Sequence, residues 1–191
     1  MNVRLETADR FEWNYIPEYE YLAAPFEITP GVVIPPGEYR FTRYRFEVQS
    51  SPHRPLQAGM TIRYGGFYDG SLTQWQNYVK WTSRTGKLQL GLTTENNFGR
   101  VREGSIVQRL WQLQSAYSWS PNLALTSFIQ YDTESQNLGS NTRLRWTVRP
   151  GNDVFVVWNR SWQRLLLRPG DLGLIPDREL VAVKIRWTFR K

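Results

Sequence analysis

The chain has 191 residues, 40% of them hydrophobic, with no cysteine, one histidine and a formal net charge of +7. That length suits one domain or an undivided β-barrel. The lack of cysteine excludes a disulfide framework, thiolate metal ligands and a cysteine nucleophile together. No apolar run approaches the roughly 18 residues of a spanning helix, but alternating strands hide a lipid-facing side from such a test.

Val3, Leu5 and Thr7 alternate with Arg4 and Glu6 ahead of Phe11 and Trp13, which predicts a first strand ending near Trp13. Residues 14–37 are punctuated by Pro17, Pro25, Pro30, Pro35 and Pro36. They read as a long Pro-rich external loop, with one short strand over 26–29. A second strand is expected over 38–49, with Tyr44, Phe46 and Val48 opposite Arg43, Arg45 and Glu47. The third, over 55–67, sets Leu56, Ala58, Met60, Ile62 and Tyr64 against Gln57, Thr61 and Arg63. Tyr68-Asp69-Gly70-Ser71 makes a tight turn into a fourth strand over 72–82, with Trp75, Val79 and Trp81 in phase.

The fifth strand carries Leu88, Leu90 and Leu92, and residues 96–105 read as a polar loop. Trp111, Leu113, Tyr117 and Trp119 oppose Gln112, Gln114 and Ser118 in a sixth strand over 106–119. In the seventh, over 123–132, Leu125, Ile129 and Tyr131 oppose Thr126, Gln130 and Asp132, with Phe128 out of place on the polar parity. The eighth, over 141–149, sets Leu144, Trp146 and Val148 against Arg143, Arg145 and Arg149. A ninth follows over 153–160, where the FVVW run leaves the parity ambiguous, and residues 161–179 read as a long loop. In the tenth, over 180–189, Val181, Val183, Ile185, Trp187 and Phe189 oppose Ala182, Lys184, Arg186 and Thr188.

Ten alternating strands without a helix predict an all-β fold: an antiparallel up-and-down meander closing as a β-barrel, in one domain. From residue 83 to the C-terminus the expected connections alternate short and long, as the periplasmic turns and external loops of outer-membrane barrels do. The turn at Asp69-Gly70 breaks the alternation, because it would be external and is tight.

Four segments, PPGEYRF (35–41), GGFYDG (65–70), QYDTESQNLGSNTRLRW (130–146) and RPGNDVFVVWN (149–159), occur in an order that resembles a known family. It is the uncharacterised C-terminal barrel domain that follows a family 9-type carbohydrate-binding domain in Gram-negative bacterial proteins. The resemblance covers roughly residues 26–160. It implies an outer-membrane β-barrel with no established activity and no catalytic residues to carry over. On that reading the chain is the C-terminal part of a longer protein whose carbohydrate-binding domain and first barrel strands lie outside it, so sugar binding is not inherited. The N-terminus, MNVRLETADRF, shows no signal peptide.

Two sets of residues carry the functional expectation. Arg43, Arg45, Arg63, Arg143, Arg145, Lys184 and Arg186 would line a cationic lumen, balanced by Glu47, Glu95 and Asp132 or selecting anions. Trp75, Trp81, Trp111, Tyr117, Trp119, Tyr131, Trp146, Trp187 and Phe189 would anchor the barrel at the membrane interfaces. The expected partner is the lipid bilayer, and the expected place is the bacterial outer membrane. The role is a membrane anchor or a narrow passive pore. The competing reading is a soluble β-barrel or sandwich binding a ligand, carbohydrate included, through exposed aromatics.

Neither catalytic residues nor a metal or cofactor is expected. His53 is the only histidine, and pairs such as Glu95 with Glu103 read as solvated carboxylates rather than glycosidase pairs. Nucleic-acid binding is disfavoured because arginines and aromatics lie mostly on opposite strand faces rather than together.

Overall fold

The computed structural model describes residues 1–165 and 173–188. Thirteen strands follow in chain order: β1 (Asn2–Arg4), β2 (Arg10–Leu22), β3 (Phe26–Thr29), β4 (Val32–Ile34), β5 (Gly37–Gln49), β6 (Leu56–Phe67), β7 (Gly70–Thr82), β8 (Leu88–Val101), β9 (Gly104–Ser120), β10 (Leu123–Asp132), β11 (Asn137–Arg149), β12 (Asn152–Leu165) and β13 (Gly173–Arg186). Eleven form one sheet in the order β1-β2-β5-β6-β7-β8-β9-β10-β11-β12-β13, and β3 and β4 form a separate hairpin. The fold is an all-β antiparallel meander, with more strands than the expected ten. The order ends on β1 and β13, and no pairing joins those two among the described residues.

The chain divides into two units, one of Met1–Val79 with Thr93–Leu110, the other of Lys80–Leu92 with Trp111–Lys191.

In the first unit, β2 pairs with β5 along its whole length, from Arg10 opposite Gln49 to Leu22 opposite Gly37. The expected first strand is therefore two strands, joined by a turn over 5–9, and the second continues well past Trp13. Pro17, opposite Thr42, lies inside β2. It is tolerated because β1 pairs only with Arg10–Glu12, so no ladder on that side needs the missing N–H. Residues 14–37 are thus not one external loop: they hold most of β2, the β3–β4 hairpin and the start of β5. Register gives this unit an apolar face with rows Phe11/Val48/Met60, Trp13/Phe46/Ile62 and Tyr15/Tyr44/Tyr64. The opposite face of β2 and β5 carries Glu12, Arg43, Arg45 and Glu47.

At the end of these strands away from the 5–9 turn, the polar face becomes aromatic, through Tyr39, Phe41, Phe67 and Tyr68. There the β3–β4 hairpin packs: Val32 and Ile34 are buried with Tyr68, Leu72, Val101 and Ile106. Ile34 is fully enclosed. Gly104 is required beneath it, since a Cβ there would stand 2.9 Å from Val32 Cγ2.

In the second unit, β10 to β13 keep one apolar face through a nearly unbroken register. Its rows are Leu123/Trp146/Val154/Ile185, Leu125/Leu144/Val156/Val183 and Ser127/Thr142/Trp158/Val181. This resolves the FVVW ambiguity: Val154, Val156 and Trp158 share the apolar face, and Phe155 and Val157 lie on the polar one.

The expected loops at 96–105 and, among the described residues, 161–179 are mostly strand, and so is the second half of 133–140. β8 and β9 meet at a two-residue turn, β11 begins at Asn137, and β12 and β13 pair out to Leu165 opposite Gly173. Alternation had faded there because the apolar face turns polar, as at Ser140, Arg160 and Glu179, while the backbone goes on pairing. Phe189, at the end of the expected last strand, lies outside the described residues.

Candidate functional site: a two-faced sheet

The polar face carries the predicted cations, and most of their counter-charges differ from those expected. In the first unit Arg45 bonds Glu12 at 2.9 Å and also pairs with Glu47, while Arg10 pairs with Glu12. Glu12 and Glu47 are both buried. Arg43, also buried, lies over the Phe67 ring at 5.8 Å, with Nε and Nη2 lacking an acceptor. Arg63 sits directly across from Arg45. In the second unit Arg186 pairs with Asp153, which also accepts from Thr147 Oγ1 at 2.6 Å. Arg145 and Lys184 flank Phe155 on its two neighbouring strands, and Arg143 lies over the Phe155 ring at 5.9 Å.

Of the three expected balancing carboxylates, only Glu47 pairs with a predicted arginine. Glu95 accepts from Asn97 Nδ2, and Asp132 holds its turn by accepting from Glu134 N, Ser135 N and Ser135 Oγ. The balancing groups that sequence reasoning missed are Glu12 and Asp153. Glu12 stood in a strand whose length was misjudged, and Asp153 opened a strand of ambiguous parity. Arg63, Arg143, Arg145 and Lys184 make no ion pair among the described residues.

The apolar face is exposed. Trp75, Trp81, Trp111, Tyr117, Trp119, Trp146 and Trp187 all present their rings outward from it, and Val181, Val183 and Ile185 are each 60% exposed or more. Tyr131 is half-buried, on the same parity as Leu125 and Ile129. Trp13 and the tyrosine row Tyr15/Tyr44/Tyr64 belong with these aromatics and were not singled out from sequence. Tyr44 stacks on Tyr64 at 5.3 Å and meets Tyr15 at 5.8 Å. On β10 the face runs from Leu123 to Tyr131, eight residues or roughly 27 Å along a strand. At the Tyr131 end the face becomes charged, where Arg160 approaches Glu179 at 3.9 Å and Trp158 Nε1 donates to Glu179 at 2.9 Å.

The strand ends hold two perturbed groups. Asp9, in the 5–9 turn, is held below the usual carboxylate range by the Thr7 hydroxyl, then by the Ser51 amide and by Arg54. Burial, followed by its hydrogen bond to Glu20, pushes the Tyr68 hydroxyl up to about 12. Among the described residues no three histidine or carboxylate side chains gather to hold a metal ion. What the arrangement offers is a pair of surfaces, one apolar with aromatics, the other polar and cationic. No protein-family model, curated protein or solved structure matches the chain.

Proposed function

We propose that the protein is an outer-membrane β-barrel, its meander closed and its apolar face in lipid, acting as a membrane anchor or as a narrow passive pore with a cationic lumen. The observation that carries this is the set of contiguous apolar rows, Leu125/Leu144/Val156/Val183 and their neighbours, with large side chains exposed across several strands. A monomer in water rarely leaves so extended an apolar surface uncovered. The outer edge of β13 supports closure: along fourteen residues its alternate N–H and C=O groups, turned away from β12, would be a template for aggregation, and a closed sheet removes that edge. The family resemblance points the same way.

The anchor is favoured over the pore. In the first unit the buried carboxylates Glu12 and Glu47 pair with Arg45 on the polar face, and the β3–β4 hairpin packs on that same face. Barrels of about eight strands are filled by side chains alone, and in the wider interior of an eleven-stranded sheet the β3–β4 hairpin would take up part of the added space. The test is recovery of the full chain in buffer and in detergent. A folded monomer only in detergent or lipid is the expected outcome, and a stable folded monomer in buffer alone overturns the reading. Conductance in a planar bilayer separates the two roles: silence fits the anchor, and steady ohmic current fits the pore.

A further inference from the structure

Phe128 falls on the polar parity, as Phe155 does in the same unit, and the structure surrounds it with amides. It stands opposite Asn141 on the polar face. With Gln130, Asn137, Gly139, Asn141 and Gln163 it lines a recess of about 440 Å³. That is the scale of small-molecule sites.

Gly139 makes the recess. It lies inside β11 between Gln130 of β10 and Ser161 of β12, with no bulge in either ladder at that point. A Cβ there would meet only Asn137 Oδ1, at 3.9 Å. The backbone therefore does not demand glycine, and glycine in a strand interior weakens the strand unless something approaches closely.

The amides are held and partly unspent. Gln163 Nε2 donates to Ser135 O at 2.8 Å and Gln112 Nε2 to Gln130 Oε1 at 3.3 Å, and Asn141 Nδ2 donates to Asn159 Oδ1. The Gln130 NH₂ group and the Asn137 and Asn141 carbonyls keep bonding capacity toward the recess. Fixed amides offer a donor and an acceptor side by side, which suits adjacent hydroxyls. A ring face suits the C–H side of a flat polyol.

We infer that this recess binds a neutral polyhydroxylated ligand, a sugar, against Phe128 with its hydroxyls on the surrounding amides. Among the described lining residues the one charged group is the Asp132 carboxylate, which disfavours an acidic sugar. The inference goes beyond the membrane reading and holds whichever medium meets the apolar face.

The test is saturation-transfer NMR on the full chain, kept folded in buffer or detergent micelles, with maltose and glucuronate as probes. Saturable transfer from the wild type to maltose is expected, with glucuronate weaker. Gly139→Leu, whose Cβ meets no backbone atom within 4 Å and whose side chain enters the recess, should weaken maltose binding at least tenfold. Phe128→Leu, a smaller change should the first variant fail to fold, should weaken it several-fold. Ser127→Ala, on the opposite face, should leave it unchanged. Absence of saturable transfer in the wild type, or undiminished binding in both recess variants, overturns the site. Tighter binding of glucuronate overturns the neutral assignment.

Discussion

Val183→Arg is the most instructive substitution, because Val183 lies in the middle apolar row with Val156, Leu144 and Leu125 and is 63% exposed. If that row meets acyl chains, an arginine near the bilayer midplane costs about 2–4 kcal/mol. At about 1.4 kcal/mol per factor of ten, folding into lipid should weaken by roughly 30- to 1000-fold. If the row meets water, the change is an ordinary exposed substitution, expected within about 0.5 kcal/mol. The neighbouring Lys184→Gln on the polar face is the internal control, predicted to stay within that smaller range. The assay is urea-dependent folding into phospholipid vesicles, followed by tryptophan fluorescence. A Val183→Arg midpoint indistinguishable from that of Lys184→Gln refutes the lipid assignment.

Glu47→Gln should destabilise the fold by about 2 kcal/mol, less than a fully broken buried pair because Arg45 keeps Glu12. Replacing Glu12 and Glu47 by leucine together with Arg45 by methionine, so that no buried charge of the trio remains, should recover much of that loss in the same denaturation assay. Because the folded-state pKa of Asp9 lies below its ordinary value of 3.8, its stabilisation is complete above that value and is lost as pH falls through the folded one. The Ser51 amide resonance should report this as a single step below pH 3.8, absent in Asp9→Asn. Ile34→Ala should open a cavity under the β3–β4 hairpin at a cost of about 2–5 kcal/mol. A glutamate-specific protease would then cleave at Glu27 faster than in the wild type, and equal rates would mean the hairpin is not held by that core.

The two faces were legible because alternation is a local property: Leu144 against Arg145, or Val183 against Lys184, declares its side without knowledge of any partner. Strand ends were not legible, for the same reason. Where β8, β11 and β12 run past the apolar rows, polar residues interrupt the alternation, and only backbone pairing shows that Asn97, Ser140 and Gln163 are still in strands. Pro17 misled in a related way. A proline excludes a strand only where its N–H is needed, and the shortness of β1, which frees Pro17, is invisible locally. Ion pairs depend on register, so Arg45 could be placed on the polar face from sequence but not assigned to Glu12, thirty-three residues away. Phe128 was an informative anomaly, since the residue that misfits the pattern of its strand lines the recess.

The central claim is that one face of β13 meets lipid and the other does not, and the cysteine-free chain allows a direct reading. Single cysteines at positions 181 to 185 in the vesicle-folded protein would carry nitroxide spin labels. Their collision rates with molecular oxygen, which concentrates in the bilayer, and with a water-soluble nickel chelate would be compared. The account predicts a period of two: positions 181, 183 and 185 open to oxygen and shielded from nickel, and positions 182 and 184 with a markedly lower oxygen-to-nickel ratio. Labels at 181, 183 and 185 that collide as freely with nickel as those at 182 and 184 would contradict it.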